Sequence, residues 1–343
     1  MATHLDLILA NPWKTLLCIY EILALLLITL ISRILLPFVP RVVDLRTEIA
    51  RDFIGPGLTI FWEILYKAPP GLDPKRYRVA DIGGVPSVVI PPHAALAGGP
   101  LDLQRKNLVI LFAHGGGYLF GEPLQYISTY ERWVQNAAQQ GIDLTIVSVD
   151  YRALSSSIYG MFSLIDCYKI APERIILSGD SAGGGLSAMT AIHLRNHKIS
   201  PPLGLVLISP WLDLSAQKTR YSPGQHTDFP INYSTSVDSQ TRAFIPDGMS
   251  NDDPRVSPIF DDLHDLPQHL VFAGSAEVLL SDSEDWVKKA REAGNKVDYV
   301  CEPGQMHVYP MGFPFAGSTV TAKADNQLFK FLHKLIASRD EKF

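Results

Sequence analysis

The stretch that most restricts the fold is residues 174–195. There Ile175-Ile176-Leu177 runs into Gly179-Asp180-Ser181-Ala182-Gly183-Gly184-Gly185 and on into Leu186-Ser187-Ala188-Met189-Thr190-Ala191. The β-branched apolar run predicts a buried strand, and the Ala/Leu/Met-rich run after the glycines predicts a helix. Gly-x-Ser-x-Gly in that setting is the signature of a nucleophile elbow, in which a strained turn holds a serine hydroxyl outward while flanking glycines let other backbone come close. Ser181 is therefore the candidate nucleophile. A phosphate-binding turn is the competing use of such glycines, but no Lys-Ser/Thr follows as in a P-loop, and Gly183-x-Gly185 does not continue into a dinucleotide fingerprint.

An elbow needs a sheet to carry it. Apolar runs predict strands at 85–90, 108–113, 144–149, 203–209, 269–273 and 296–301. Between them, Ser128-Thr129-Tyr130-Glu131 reads as a capping box opening a helix that Gly141 closes. Ile158, Met161, Phe162 and Ile165 fall on one helical face, and Ser281-Asp282-Ser283-Glu284 opens a helix ending near Gly294. Strands alternating with helices imply an α/β fold with a mostly parallel central sheet and helices on both faces. At 343 residues, 47% of them apolar, the chain can bury a large core. The alternation stops across 211–266, where five prolines accompany Trp211, Tyr221, Phe229, Tyr233 and Phe244. This segment reads either as an inserted cap whose aromatics wall an apolar pocket or as a decorated loop away from it.

The chemistry-bearing residues lie at the ends of these strands. The run at 108–113 ends in His114-Gly115-Gly116-Gly117, and glycines after a strand can aim main-chain N–H groups at a developing oxyanion, each donor contributing about 3 to 4 kcal/mol. After the last predicted strand comes Gly304-Gln305-Met306-His307, and after the preceding one comes Glu277. A serine, an acid and a histidine in that chain order form an acyl-transfer triad: His307 takes the Ser181 proton, and Glu277 fixes the tautomer and stabilises the imidazolium. Asp282 is the second candidate for the acid.

Cys18, Cys167 and Cys301 are too scattered for a zinc site or a disulfide framework, and the expected chemistry needs neither metal nor organic cofactor. With a net charge of −5 and no basic stripe, no nucleic-acid partner is indicated. Oligomeric state is not legible.

Residues 16–36 are mostly Leu and Ile, broken among charges only by Glu21 and Arg33, and long enough to cross a hydrocarbon core of about 30 Å. They read as a membrane anchor flanked by Trp13, Lys14, Arg33, Arg41 and Arg46; a cleaved signal peptide, or a helix lying on the membrane or the body, are the other readings. The arginines favour a cytoplasmic body, whereas the sequon Asn232-Tyr233-Ser234 suits a lumenal one. Residues 45–67 carry two apolar helical patterns parted by Gly55-Pro56-Gly57, and Ala68-Pro69-Pro70-Gly71 reads as a linker. The expected organisation is an anchor over 1–40, a helical cap segment over 41–70 and a catalytic domain over 71–343.

Taken together, His114-Gly115-Gly116-Gly117, Val149-Asp150-Tyr151-Arg152, Gly179-Asp180-Ser181-Ala182-Gly183-Gly184, Ser257-Pro258-Ile259-Phe260, Gly274-Ser275-Ala276-Glu277-Val278-Leu279 and His307 resemble the hormone-sensitive-lipase-like branch of the α/β-hydrolases. That branch includes arylacetamide deacetylase and fungal steryl acetate hydrolases. The resemblance covers roughly residues 80–335. It implies an α/β-hydrolase fold with a helical cap, an oxyanion hole donated by Gly116, Gly117 and Ala182, and a serine esterase that removes acetyl from an apolar alcohol such as a sterol or secondary metabolite. Membrane-anchored deacetylases of this group carry a similar N-terminal helix, so a single-pass location in the endoplasmic reticulum is expected. An amidase or formamidase would use the same residues, and a non-catalytic binder is a third reading, although His307 is retained. The chain departs from the branch in having Glu277 where Asp is usual, and in a segment after Arg152 that is short by a couple of helical turns.

Overall fold

Strand β3 (Asn107–Ala113) shows how this chain builds a sheet. Leu108, Ile110 and Phe112 pack into one buried apolar cluster, whereas Val109, Leu111 and Ala113 pack into another. Successive side chains of a strand point to opposite faces, so a continuous apolar run is the pattern of a strand covered on both sides. The computed structural model describes residues 4–61, 67–82, 84–94, 107–151, 170–229, 241–242 and 244–341. Seven further strands join β3: β1 (Arg78–Ile82), β2 (Val85–Ile90), β4 (Asp143–Val149), β5 (Ile175–Asp180), β6 (Gly204–Ile208), β7 (His269–Gly274) and β8 (Val297–Glu302). Their order is β1-β2-β4-β3-β5-β6-β7-β8; β2 is antiparallel to β1 and β4, and every later neighbour pair is parallel.

The helices are α1 (His4–Ala10), α2 (Pro12–Leu35), α3 (Leu45–Ile60), α4 (Ile127–Gln139), α5 (Ala182–Asn196), α6 (Leu280–Glu292) and α7 (Ser318–Asp340). Helices α5 and α6 cover one face through Leu186, Met189, Trp286 and Val287, while α4 and α7 cover the other through Tyr130, Trp133, Leu328 and Leu332. Polar bonds lock this second layer: Asp325 on α7 accepts from Trp133 Nε1 at 2.9 Å and pairs with Arg132 at 2.8 Å. Because each catalytic candidate follows the C-terminal end of a parallel strand, the sheet delivers them to one rim.

Some elements differ from expectation. The β1–β2 hairpin and the long C-terminal α7 were not predicted. Helix α4 starts at Ile127, so Ser128 lies inside it and no side chain caps the helix at Tyr126; the Thr129 hydroxyl donates to the Met311 carbonyl. Helix α6 starts at Leu280, which turns Asp282 inward rather than leaving it in a cap. Helix α3 runs straight through Gly55-Pro56-Gly57. Pro56 lacks an N–H, but the Phe61 N–H bonds the Gly57 carbonyl and carries the ladder on, while Gly55 lies under the Phe229 carbonyl. Residues 62–66 of the second helical pattern, residues 158–169 of the expected helix before the elbow strand, and the sequon Asn232-Tyr233-Ser234 lie outside the described residues. Helix α2 is the one helix among the described residues long and apolar enough to cross a membrane, with mean hydropathy 2.3 and only 11% of its most apolar stretch buried.

The elbow depends on two glycines. A Cβ on Gly179 would sit 2.3 Å from the Gly183 carbonyl oxygen, and one on Gly183 would sit 2.0 Å from the Ala113 carbonyl oxygen. Helix α5 therefore starts in main-chain contact with β5 and β3. Gly183→Ala is expected to cost about 3 kcal/mol, because backbone must move to admit the methyl, and to abolish activity. A thermal unfolding midpoint within a degree of wild type would contradict this.

Candidate functional site

Ser181 joins β5 to α5 with φ 52° and ψ −122°, a conformation that costs an L-residue energy and persists only when its surroundings over-determine it. They do so here. The Ser181 N–H donates to the Ile208 carbonyl at 2.9 Å, and the Ser181 carbonyl accepts from Trp211 at 2.9 Å and Gly185 at 3.1 Å. Opposite it lies the glycine loop after β3, with Gly116 at φ 132° and Gly117 at φ 59°. Asp180, next to Ser181, shapes that loop: its Oδ1 accepts from the Gly115 N–H at 2.8 Å and its Oδ2 from Tyr126 Oη at 2.8 Å. Burial pushes the Asp180 carboxyl up to about 6. With Gly115 committed to Asp180, Gly116, Gly117 and Ala182 remain as the expected donors.

His307, in the loop after β8, lines one cleft with Ser181 and Gly116. Its Nδ1 lies 3.8 Å from Glu277 Oε2. That is an ion-pair distance rather than a hydrogen bond, and catalytic contacts are commonly long before substrate binds. The carboxylate is instead held by Ser209, which donates to Glu277 Oε2 while its Oγ accepts from the Val308 N–H at 3.0 Å. Burial alone would lower the His307 pKa; Glu277, with Asp228 and Asp180, outweighs it and holds the imidazole above its ordinary range.

Asp282 is placed elsewhere. It is buried and accepts from the N–H groups of Leu212 and Asp213 at 2.8 and 3.0 Å and from Thr219 Oγ1 at 3.0 Å, and burial pushes it up to about 7. It anchors the start of the 211–266 segment. Of the two acid candidates, Glu277 is the one whose carboxylate lies near the His307 imidazole, at 3.8 Å.

Sequence reading passed over Asp228. This buried carboxylate accepts from the His307 N–H at 3.0 Å through Oδ1 and from the Val278 N–H at 2.8 Å through Oδ2. It clasps the loop carrying Glu277 to the loop carrying His307, and neighbouring Thr227 adds a 2.7 Å bond to the Ala276 carbonyl. Nothing in a lone Asp-Phe-Pro within a proline-rich insert marks such a role. Its only signal is a carboxylate among aromatics, where an unpaired charge would be costly.

Phe229 also faces the cleft, its ring 6.0 Å from that of His307. Trp211 and Phe244 pack instead on Tyr118 after the glycine loop, at 5.6 and 3.7 Å, and Tyr221 is 87% exposed. Of the expected cap aromatics described, Phe229 alone lines this cleft. The cleft measures about 40 Å³, whereas a depression of about 620 Å³ between α4 and α7 lies away from Ser181 and is wide but lacks the triad candidates. Among the described residues, no group of three or more His, Cys, Asp or Glu is arranged to hold a metal ion.

Residues 110–311 match the family model described as alpha/beta hydrolase fold. The chain belongs to this family. An esterase of Acinetobacter venetianus is 30% identical over 237 residues, covering 66% of this chain and 76% of that protein. An acetyl-hydrolase of Streptomyces hygroscopicus is 27% identical over 60% of this chain and 69% of its own length. Among solved structures, a mutant of the esterase E40 superposes with a TM-score of 0.68 at 25% identity, covering 87% of this chain and 93% of that one. EstE7, a hormone-sensitive-lipase homologue from a metagenome library, gives 0.65 at 26% over 86% and 96%. The α/β-hydrolase and its hormone-sensitive-lipase-like branch are thus the right frame, and the chain is a carboxylic ester hydrolase.

Two pH-dependent outcomes follow. With His307 as the expected base, which acts only when neutral, kcat/KM is expected to fall as pH drops through a pKa above the usual histidine value of about 6.5. Asp228→Asn removes a negative charge beside His307, so its acid limb is expected to move to lower pH, with kcat down about tenfold, or about 1.4 kcal/mol, and KM for a small ester unchanged. An unmoved limb with unchanged kcat would show that the clasp is dispensable.

Proposed function

We propose that this enzyme is a serine hydrolase that removes short acyl groups, acetyl foremost, from an apolar alcohol such as a sterol or secondary metabolite. The observation that carries the reading is Ser181 on its strained turn, sharing a cleft with His307, which lies beside Glu277. His307 takes the Ser181 proton as Oγ attacks the ester carbonyl, and Gly116, Gly117 and Ala182 face the oxyanion. Returning that proton to the alkoxide expels the alcohol, and a water activated by the same imidazole releases the acid. Glu277 holds the imidazole and stabilises its charged form. The acetyl-hydrolase of Streptomyces hygroscopicus among the relatives favours a short acyl chain.

The same proposal takes α2 as a single-pass anchor over the expected segment 1–40, with 41–70 as cap and 71–343 as catalytic domain, the endoplasmic reticulum being the expected membrane. Support comes from a 24-residue apolar helix whose side chains are almost all unburied.

The test is a panel of nitrophenyl esters and anilides of increasing acyl length. Wild type is expected to favour acetyl over decanoyl esters at least tenfold in kcat/KM and esters over anilides. Ser181→Ala is expected to lose at least about 10⁴ in kcat. Equal rates on all acyl lengths would remove the short-acyl assignment, faster anilide cleavage would favour an amidase, and full activity of Ser181→Ala would refute the mechanism. Glu277→Gln is expected to lose far more kcat than Asp282→Asn, measured at equal folded fraction. Membrane pellets washed with carbonate are expected to retain the full-length chain and to release one lacking residues 1–40.

A further inference from the structure

Helix α2 is tied to the cap by charges. Thr29 Oγ1 donates to Asp52 Oδ2 at 2.6 Å, Arg51 pairs with Asp52 at 2.6 Å, and Arg33 pairs with Glu48 at 2.8 Å while donating to the Val43 carbonyl at 2.9 Å. Arg41 reaches back to the Ser32 carbonyl at 3.1 Å. The Glu48 and Asp52 side chains are almost fully buried in this latch. Charges at the centre of a bilayer are expensive, so the latch cannot sit in hydrocarbon. The boundary must lie N-terminal to Thr29. That leaves Pro12 to Ile28 for the hydrocarbon, about 25 Å at 1.5 Å per residue, near the lower limit for a span; the half-buried Glu21 is the one charge near its centre, a single cost against the five charged groups of the latch.

This depth has a consequence for the next helix. With the latch at the interface, α3 lies along it. Leu45, Ile49 and Phe53, at i, i+4 and i+8 of α3, form an outward stripe 39%, 40% and 59% exposed. The turn before α3 adds Leu36, Phe38, Val39 and Val42, with Phe38 96% exposed. This apolar surface continues directly from α2. On its other side α3 places Ile54 and Leu58 in the cleft with Ser181 and His307, and Arg51 donates to the His226 carbonyl, two residues before the Asp228 clasp. One helix therefore has lipid-suited residues on one face and active-site lining on the other.

We propose that α3 and the 36–42 turn seat in the headgroup and acyl boundary of the bilayer that α2 enters, so that the ester substrate reaches Ser181 from the lipid phase past Ile54 and Leu58. The substrate class is then an ester dissolved in the membrane, with the body of its alcohol among the acyl chains. Amphipathic helices that lie in an interface bury one apolar face to about 5–10 Å, which suits a three-residue stripe flanked by arginines. This inference rests on the anchor reading above.

The experiment uses the full-length enzyme in phosphatidylcholine vesicles, comparing wild type with the triple variant Phe38→Ser, Ile49→Ser, Phe53→Ser. Two substrates are assayed: water-soluble nitrophenyl acetate and a sterol acetate dissolved in the vesicles. The variant is expected to co-sediment with vesicles through α2 and to hydrolyse nitrophenyl acetate within twofold of wild type, which also shows that it is folded. On the vesicle-borne acetate it is expected to lose at least tenfold. Co-sedimentation with unchanged rates on both substrates would overturn the seated cap and leave the anchor standing. Equal losses on both would also overturn it, since the stripe would then serve the body rather than the lipid. Wild type that stays in the supernatant would refute the anchor itself, and this inference with it.

Discussion

The backbone of Ser181 is the constraint to which the rest of the molecule answers. A positive φ at a serine survives because four bonds and contacts fix it: the Ile208 carbonyl receives its N–H, Trp211 and Gly185 donate to its carbonyl, and Gly183 presses against Ala113. Those partners belong to β6, to the segment after it, to α5 and to β3. Sheet order thus matters to chemistry, because β5 must lie between β3 and β6 for the turn to be held from both sides.

Buried carboxylates organise what the strand ends deliver. Asp180 takes the Gly115 N–H and fixes the glycine loop, Asp228 takes main-chain N–H groups from both catalytic loops, and Asp282 takes those of Leu212 and Asp213 at the root of the insert. Burial pushes these three up to about 6, 7 and 7. Each bonds at least two donors, so desolvation is offset by short, directed hydrogen bonds, joined for Asp228 and Asp180 by the positive charge His307 can carry. Such carboxylates shape the site through geometry, and Asp228 and Asp180 also add to the negative field that favours a charged His307.

Much of this was legible in the chain. Continuous apolar runs located the parallel strands within a residue or two, because strands covered on both faces leave few polar positions to confuse the pattern. Gly179-x-Ser181-x-Gly183 and the triple glycine after β3 stood out, since only glycine tolerates such close backbone contacts. What escaped depends on distance in space. The β1 strand, with Val79 exposed at 71%, lacks a buried face to announce it. The capping box at Ser128 fitted the local rule, but the helix begins one residue earlier at Ile127, and its N-cap position falls on Tyr126, whose side chain makes no capping bond. Asp228 and Ser209 hold catalytic loops through partners 50 to 99 residues away, a relation no local pattern encodes. Asp282 fitted a helix start yet serves the insert.

Everything proposed for the chemistry requires that Ser181 be nucleophilic because His307 is within reach of its proton. Reaction with diethyl nitrophenyl phosphate, followed by intact mass and peptide mapping, reads this directly, since only an activated serine captures the phosphoryl group quickly. The account predicts one adduct per chain, located on Ser181, formed at least a hundredfold more slowly in His307→Asn. An adduct on another residue, or capture by Ser181 at the wild-type rate without the imidazole, would contradict it.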